Sequence, residues 1–90
     1  MKNRTIADMF ERISNVLESQ GELFFKVNAY RKAARAINDL PEDIEVVWRE
    51  GRLLKIPGIG EGLAKNIDEF LRTGKMSKYE EVIGDVPDDT

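Results

Sequence analysis

The chain has neither cysteine nor histidine. Without cysteine there is no disulfide framework, and a cytoplasmic location is the default. Without histidine as well, structural zinc sites and imidazole-based catalysis are excluded. No run of residues approaches the ~18 consecutive apolar positions that span a bilayer, so no membrane association is expected. The first ten residues, MKNRTIADMF, lack the apolar core and small-residue cleavage site of a signal peptide. No segment alternates with period two for long enough to make a strand, and there is no low-complexity stretch. What remains is 90 residues, 41% hydrophobic and 34% charged, which fits one soluble globular domain, expected to be a monomer.

The net charge of −3 argues against a polyanionic partner until its distribution is considered. Residues 80–90 hold five acids and no base, and the rest of the chain carries 14 bases against 12 acids. Between Glu22 and Asp39 lie Lys26, Arg31, Lys32 and Arg35 with no acid among them. A locally basic face on an acidic protein is compatible with this pattern, as is an ordinary solvated surface.

Hydrophobic periodicity predicts an all-α fold of four helices and a short fifth, joined by tight turns. Thr5 to Asp8 resembles a capping box, followed by Ile6, Met9, Phe10, Ile13 and Leu17 at helical spacing, with a stop at Gly21. A second helix over 26–38 places Tyr30, Ala33, Ala34 and Ile37 on one stripe. A third, over 42–50, starts at Pro41 and turns Ile44, Val47 and Trp48 inward. The fourth runs from Gly60 or Glu61 to Thr73, burying Leu63, Ile67, Phe70 and Leu71, and is closed by Gly74. Ser77 and Glu80 form another capping box for a short fifth helix with Tyr79, Val82 and Ile83. Residues 1–84 make one domain, and 85–90 an acidic tail or linker.

The most informative stretch is 55-KIPGIGEGLAKNIDEFLRTGK-75, in which Gly58, Gly60 and Gly62 follow a proline and open a helix. Glycine keeps side chains out of the way of a ligand. The first N–H groups of a helix lack intrahelical partners near its positive dipole end, so the turn is suited to a phosphate oxygen. The dinucleotide fingerprint is excluded because Leu63 sits where its last glycine belongs and no strand precedes. A ligand-free helix–helix turn is the competing reading. The full pattern, apolar-Pro-Gly-apolar-Gly-x-x-apolar-Ala, favours the phosphate site.

At these residues the chain resembles the helix-hairpin-helix of the N-terminal lyase-type domain of family X DNA polymerases, the polymerase beta-like group, closest to its bacterial and archaeal members. FFKVNAYRKAARAI resembles the second helix of the same domain, and the similarity runs from about Ile6 to Glu81. The resemblance implies a DNA-binding domain that contacts the phosphate backbone near a gap or a 5′-phosphate, in the service of DNA repair. It implies amide contacts around Gly58, Gly60 and Gly62, and a pocket carrying Lys26, Tyr30 and Lys78, with Lys65 a further basic contact. Phe25 stands where a ring can stack on a base; core packing is the alternative for both Phe25 and Tyr30. The carbonyls of Leu54, Ile56 and Ile59 would hold a monovalent cation, Na⁺ or K⁺, with no other cofactor required. In a longer chain, the partners would be a polymerase palm domain and a phosphoesterase domain.

One departure bears on chemistry. Family members with 5′-deoxyribose phosphate lyase activity carry a Schiff-base lysine immediately before IDEF, where this chain has Asn66. A second pocket lysine is replaced by Gly62. Lys65 is adjacent, but one helical residue swings a side chain by about 100°, and Asp68 and Glu69 at i+3 and i+4 are expected to favour its charged form. The expectation is a binding domain without catalysis of its own. The rival readings are a small lyase using a displaced lysine and a protein-interaction module that has lost DNA binding.

Overall fold

The computed structural model describes residues 1–84; the acidic segment 85–90 lies outside them. The described residues form α1 (Asn3–Ser19), α2 (Phe24–Asn38), α3 (Ile44–Arg49), α4 (Glu61–Thr73) and α5 (Ser77–Ile83), with a 3-10 turn at Leu53–Lys55 and no strand among them. The all-α expectation is therefore met.

In α1 the i, i+3, i+4 apolar pattern becomes one buried face, on which Ile6, Phe10 and Ile13 are wholly inaccessible. Gly21 ends the helix in a Schellman turn: its N–H bonds to the Glu18 carbonyl at 3.0 Å, and the Glu22 N–H to that of Leu17 at 3.0 Å. Residues 20–23 then reverse the chain, so α1 and α2 pack as an antiparallel pair, the most extensive helix contact in the molecule. Ala33 and Ala34 permit that close approach, and both are buried. The core closes with Ile37, Ile44, Val47, Ile67 and Met76, each no more than 1% exposed. Burying one such side chain contributes roughly 1.5–3 kcal/mol, so these few positions dominate stability in so small a domain.

The starts of α1, α2 and α3 differ from the sequence reading, whereas α4 begins at Glu61 as expected. Helix α1 begins at Asn3, and Thr5 lies inside it. Asn3 is buried, donates through Nδ2 to the Glu42 carbonyl at 2.7 Å, and accepts the Ile44 N–H at 2.9 Å. This one amide ties the start of α1 to the start of α3. Helix α2 begins at Phe24 instead of Lys26, and Val27 takes a buried position. Helix α3 is shorter than 42–50, with Pro41 outside it, because the Asp43 carboxylate caps it by accepting the Glu45 N–H at 3.0 Å. Ser77 is not a cap either. Its N–H is bonded at 2.9 Å by the carboxylate of Glu69 on α4, which also accepts the Ser77 hydroxyl. Of the four residues expected to be buried on α4 only Ile67 is; Leu63, Phe70 and Leu71 are half-buried because α4 covers one edge of the core.

Candidate nucleic-acid interface

Between α3 and α4 the chain makes a hairpin whose geometry follows from Ile56-Pro57-Gly58-Ile59. Proline fixes the second position of a β-turn, Gly58 takes φ +94° at the third, and the Ile59 N–H closes on the Ile56 carbonyl at 3.0 Å. Ile56 and Ile59 are 6% and 5% exposed, so apolar side chains anchor both ends while the turn itself stays at the surface. A brace fixes the flanking helices: the Trp48 indole N–H on α3 donates to Asp68 on α4 at 2.8 Å.

Gly60 follows as the N-cap of α4, with φ −89° and ψ −176°. That backbone is open to any residue, and a Cβ added to Gly60 or Gly62 meets no atom within 4 Å. Neither backbone strain nor internal packing therefore calls for glycine at these two positions, and a glycine inside a helix is less favourable than alanine by about 0.5–1 kcal/mol. Their bareness leaves open space outside the first turn of α4, where the N–H groups have no side-chain cap.

That space belongs to a cavity of about 600 Å³ whose lining includes Lys26, Tyr30, Gly60, Gly62, Asn66 and Lys78, with Phe25, Leu63 and one acid, Glu22, also on its wall. Two uncapped helix N-termini contribute to it, those of α2 and α4, so two positive dipole ends add to the two lysines. Tyr30 is half-buried and packs edge-to-face on Phe10 with ring centroids 5.8 Å apart. It thus serves the core and the cavity at once. Burial pushes its hydroxyl above the ordinary value, with Asn66 opposing by hydrogen bonding, so the group is a neutral donor at physiological pH. Each lysine has a loosely placed acid, Glu22 at 3.6 Å from Lys26 and Glu81 at 3.9 Å from Lys78. Such exposed pairs are weak and readily exchanged for a stronger anion.

Comparison with known proteins places this architecture. A family model described as "Helix-hairpin-helix domain" matches residues 1–76. The chain belongs to that family. It is 33% identical over 88 residues, 98% of its length, to the DNA polymerase/3′-5′ exonuclease PolX of Bacillus subtilis (strain 168). It is 36% identical over 78 residues, 87% of its length, to DNA polymerase lambda of Arabidopsis thaliana. The matched regions are only 15% and 14% of those proteins. These relatives bear out the resemblance to the N-terminal helix-hairpin-helix domain of family X polymerases.

Not all the residues singled out in the sequence share the helix-hairpin-helix cavity. Gly58 faces away from it, its Cβ direction 3.8 Å from the Lys32 carbonyl and from Ala36 on α2. Lys65 lines a separate groove with Trp48, Leu54, Glu61 and Asp68. Asp68 and Glu69 are not its ion-pair partners: Asp68 is held by Trp48 and Arg72, and Glu69 by Ser77. The carbonyls of Leu54, Ile56 and Ile59 lie along the hairpin, and that of Ile56 keeps one lone pair beyond its bond to Ile59. Backbone oxygens of this kind suit a hard monovalent ion. Core packing is ruled out for Phe25, which is 66% exposed at the cavity rim beside Phe24, itself 77% exposed. Two adjacent phenylalanines carry no periodic signal of which one the fold buries, and it buries neither. No helix among the described residues is long and apolar enough to cross a membrane.

Proposed function

We propose that this helix-hairpin-helix domain binds DNA through its phosphate backbone and seats a 5′-phosphate, such as one margin of a gap, in the cavity between α2, α4 and α5. The observation that carries the reading is Gly60. It needs no positive φ, a side chain there would begin in open space, and it borders a cavity furnished with Lys26 and Lys78. Phosphate oxygens would accept from the first N–H groups of α4 and from the two lysines, with the Tyr30 hydroxyl as a further donor. Phe25 at the rim would stack on an exposed base, a contact of ~1–3 kcal/mol. A monovalent cation on the carbonyls of Leu54, Ile56 and Ile59 would stiffen the hairpin and add positive charge beside the strand. In a longer chain the domain would hold a DNA end for a polymerase palm domain, in repair synthesis.

The same cavity supplies no amine nucleophile at position 66. The Asn66 carboxamide nitrogen is delocalised into its carbonyl and forms no imine. Lys65 lines the other groove, so the proposed role is binding without lyase chemistry. The test is fluorescence anisotropy with gapped DNA carrying or lacking the 5′-phosphate. Tighter binding of the phosphorylated form, weakening with salt, is expected. Affinity indifferent to both phosphate and salt would favour a protein-interaction module instead. Borohydride treatment of the complex with 5′-deoxyribose phosphate DNA is expected to trap no adduct; trapping abolished by Lys65→Ala would overturn the non-catalytic reading.

A further inference from the structure

A DNA strand whose terminal phosphate sits in the cavity must leave it, and the surroundings of the hairpin limit the exits. The groove between α3 and α4, about 530 Å³, offers Lys65 but also Glu61 and Asp68. The cleft between α1 and α2, about 230 Å³, carries Asp8 and Glu11, and its Arg31 is already bonded to Glu18 at 2.7 Å. A third groove, about 500 Å³, lies between the second half of α2 and the hairpin, with Lys32 and Arg35 against the single acid Asp39. Its floor is apolar, from Ala36, Leu40 and Pro57.

Two further observations single out this last groove. Gly58 packs on it, close to the Lys32 carbonyl and Ala36, while Gly60 two residues on borders the cavity, so the hairpin backbone is the wall common to both. In addition, Arg4, Lys26, Arg31, Arg49, Arg52, Arg72 and Lys78 all have a carboxylate within ion-pair distance. Lys32 and Arg35 have none among the described residues; of the other five bases without one (Lys2, Arg12, Lys55, Lys65 and Lys75) only Lys65 lines one of these grooves, beside Glu61 and Asp68. Arg35 also lines the cleft holding Asp8 and Glu11 and lies in the last turn of α2, so Lys32 is the cleaner of the two. Six residues separate Lys26 from Lys32, ~9 Å along the helix axis. That is the rise of two to three nucleotides on one strand, at about 3.4 Å each.

We infer that the strand bound at the hairpin runs from the cavity over Gly58 into the α2–hairpin groove, where Lys32 and Arg35 take phosphodiesters two or more nucleotides from the terminal phosphate. This rests on the DNA-binding reading above and adds to it a direction and a second contact zone. The test uses the 90-residue protein and two ligands: a 5′-phosphorylated dinucleotide, which ends short of the groove, and gapped DNA whose 5′-phosphorylated downstream strand is paired over more than a full turn. Lys32→Gln/Arg35→Gln is compared with Lys26→Gln/Lys78→Gln, with folding checked by circular dichroism. Lys32→Gln/Arg35→Gln should weaken binding of the gapped duplex and spare the dinucleotide. It should also reduce the slope of log K against log[salt] by about 1–2 and keep the preference for the 5′-phosphate. Lys26→Gln/Lys78→Gln should instead lose that preference. Unchanged affinity and slope for Lys32→Gln/Arg35→Gln, with Lys26→Gln/Lys78→Gln impaired, would overturn the path and leave the cavity reading standing. Equal weakening on both ligands would place Lys32 and Arg35 at the terminal phosphate and also overturn it. If neither variant differs from wild type, the DNA-binding reading falls together with this inference.

Discussion

Asn3 shows how much a single amide can do in a domain of this size. It donates to Glu42 and accepts from Ile44 while buried, so Asn3→Ala leaves a backbone N–H and a carbonyl without partners. Loss of about 1–3 kcal/mol is expected, read as a lower urea midpoint with unchanged m-value. Asn66 is the counterpart in the cavity. Asn66→Lys would set an amine beside Tyr30, with Lys26 and Lys78 in the same cavity disfavouring its protonated form. Trace to moderate borohydride trapping on 5′-deoxyribose phosphate DNA is expected, limited by the absence of a second lysine at Gly62. No trapping by a folded Asn66→Lys protein that still binds DNA would mean that this cavity does not receive the sugar.

At the scale of elements, the hairpin is only as rigid as the brace between its helices. Trp48→Phe keeps most of the apolar contact but removes the indole N–H that Asp68 accepts at 2.8 Å. The expected result is a small loss of stability and faster amide hydrogen exchange over residues 53–60, with exchange in the α1–α2 pair unchanged. Uniform change across the protein would show that the brace is not local to the hairpin. Helix interiors are legible in the sequence because 3.6-residue periodicity marks the face that burial selects, as with Ile6, Phe10 and Ile13. Some helix starts are less so: Asn3 and Glu69 bond to segments 39 and 8 residues away, beyond any local capping rule, although Asp43 caps α3 locally and α4 starts where the sequence puts it. The hairpin is legible for the opposite reason: proline, glycine and the flanking isoleucines define a turn that needs no distant partner. The grouping of Lys26, Tyr30 and Lys78 is reached from the sequence only through family resemblance. That Gly58 and Lys65 face other grooves depends on how the hairpin seats on α2, which spacing alone does not encode.

Across the whole molecule, charge sets two expected responses. Glu18, Glu42, Asp68 and Glu69 are all held below their ordinary carboxylate values, chiefly by hydrogen bonds from Arg31, Arg52, Trp48 and Ser77 respectively. For depressed carboxylates the stabilisation is complete above the unfolded value, 4.5 for glutamate, and is lost as pH falls through the lower folded value. Thermal unfolding should therefore be flat near neutrality, with no histidine to titrate, and should weaken below about pH 4.5. Binding should depend on salt with a slope on the order of −2 to −4, as expected for a few phosphate contacts on a protein of net charge −3. The central claim, that the bare backbone at the mouth of α4 is where phosphate approaches, is tested most directly by titrating 5′-phosphorylated gapped DNA into wild type and Gly60→Val at matched salt. The φ and ψ of Gly60 are open to valine and its Cβ meets no neighbour, so the variant should fold, with a small loss of stability because valine is a poorer N-cap than glycine. It should bind the DNA measurably more weakly, whereas equal affinity of the two folded proteins would contradict the account and make the hairpin a turn and nothing more.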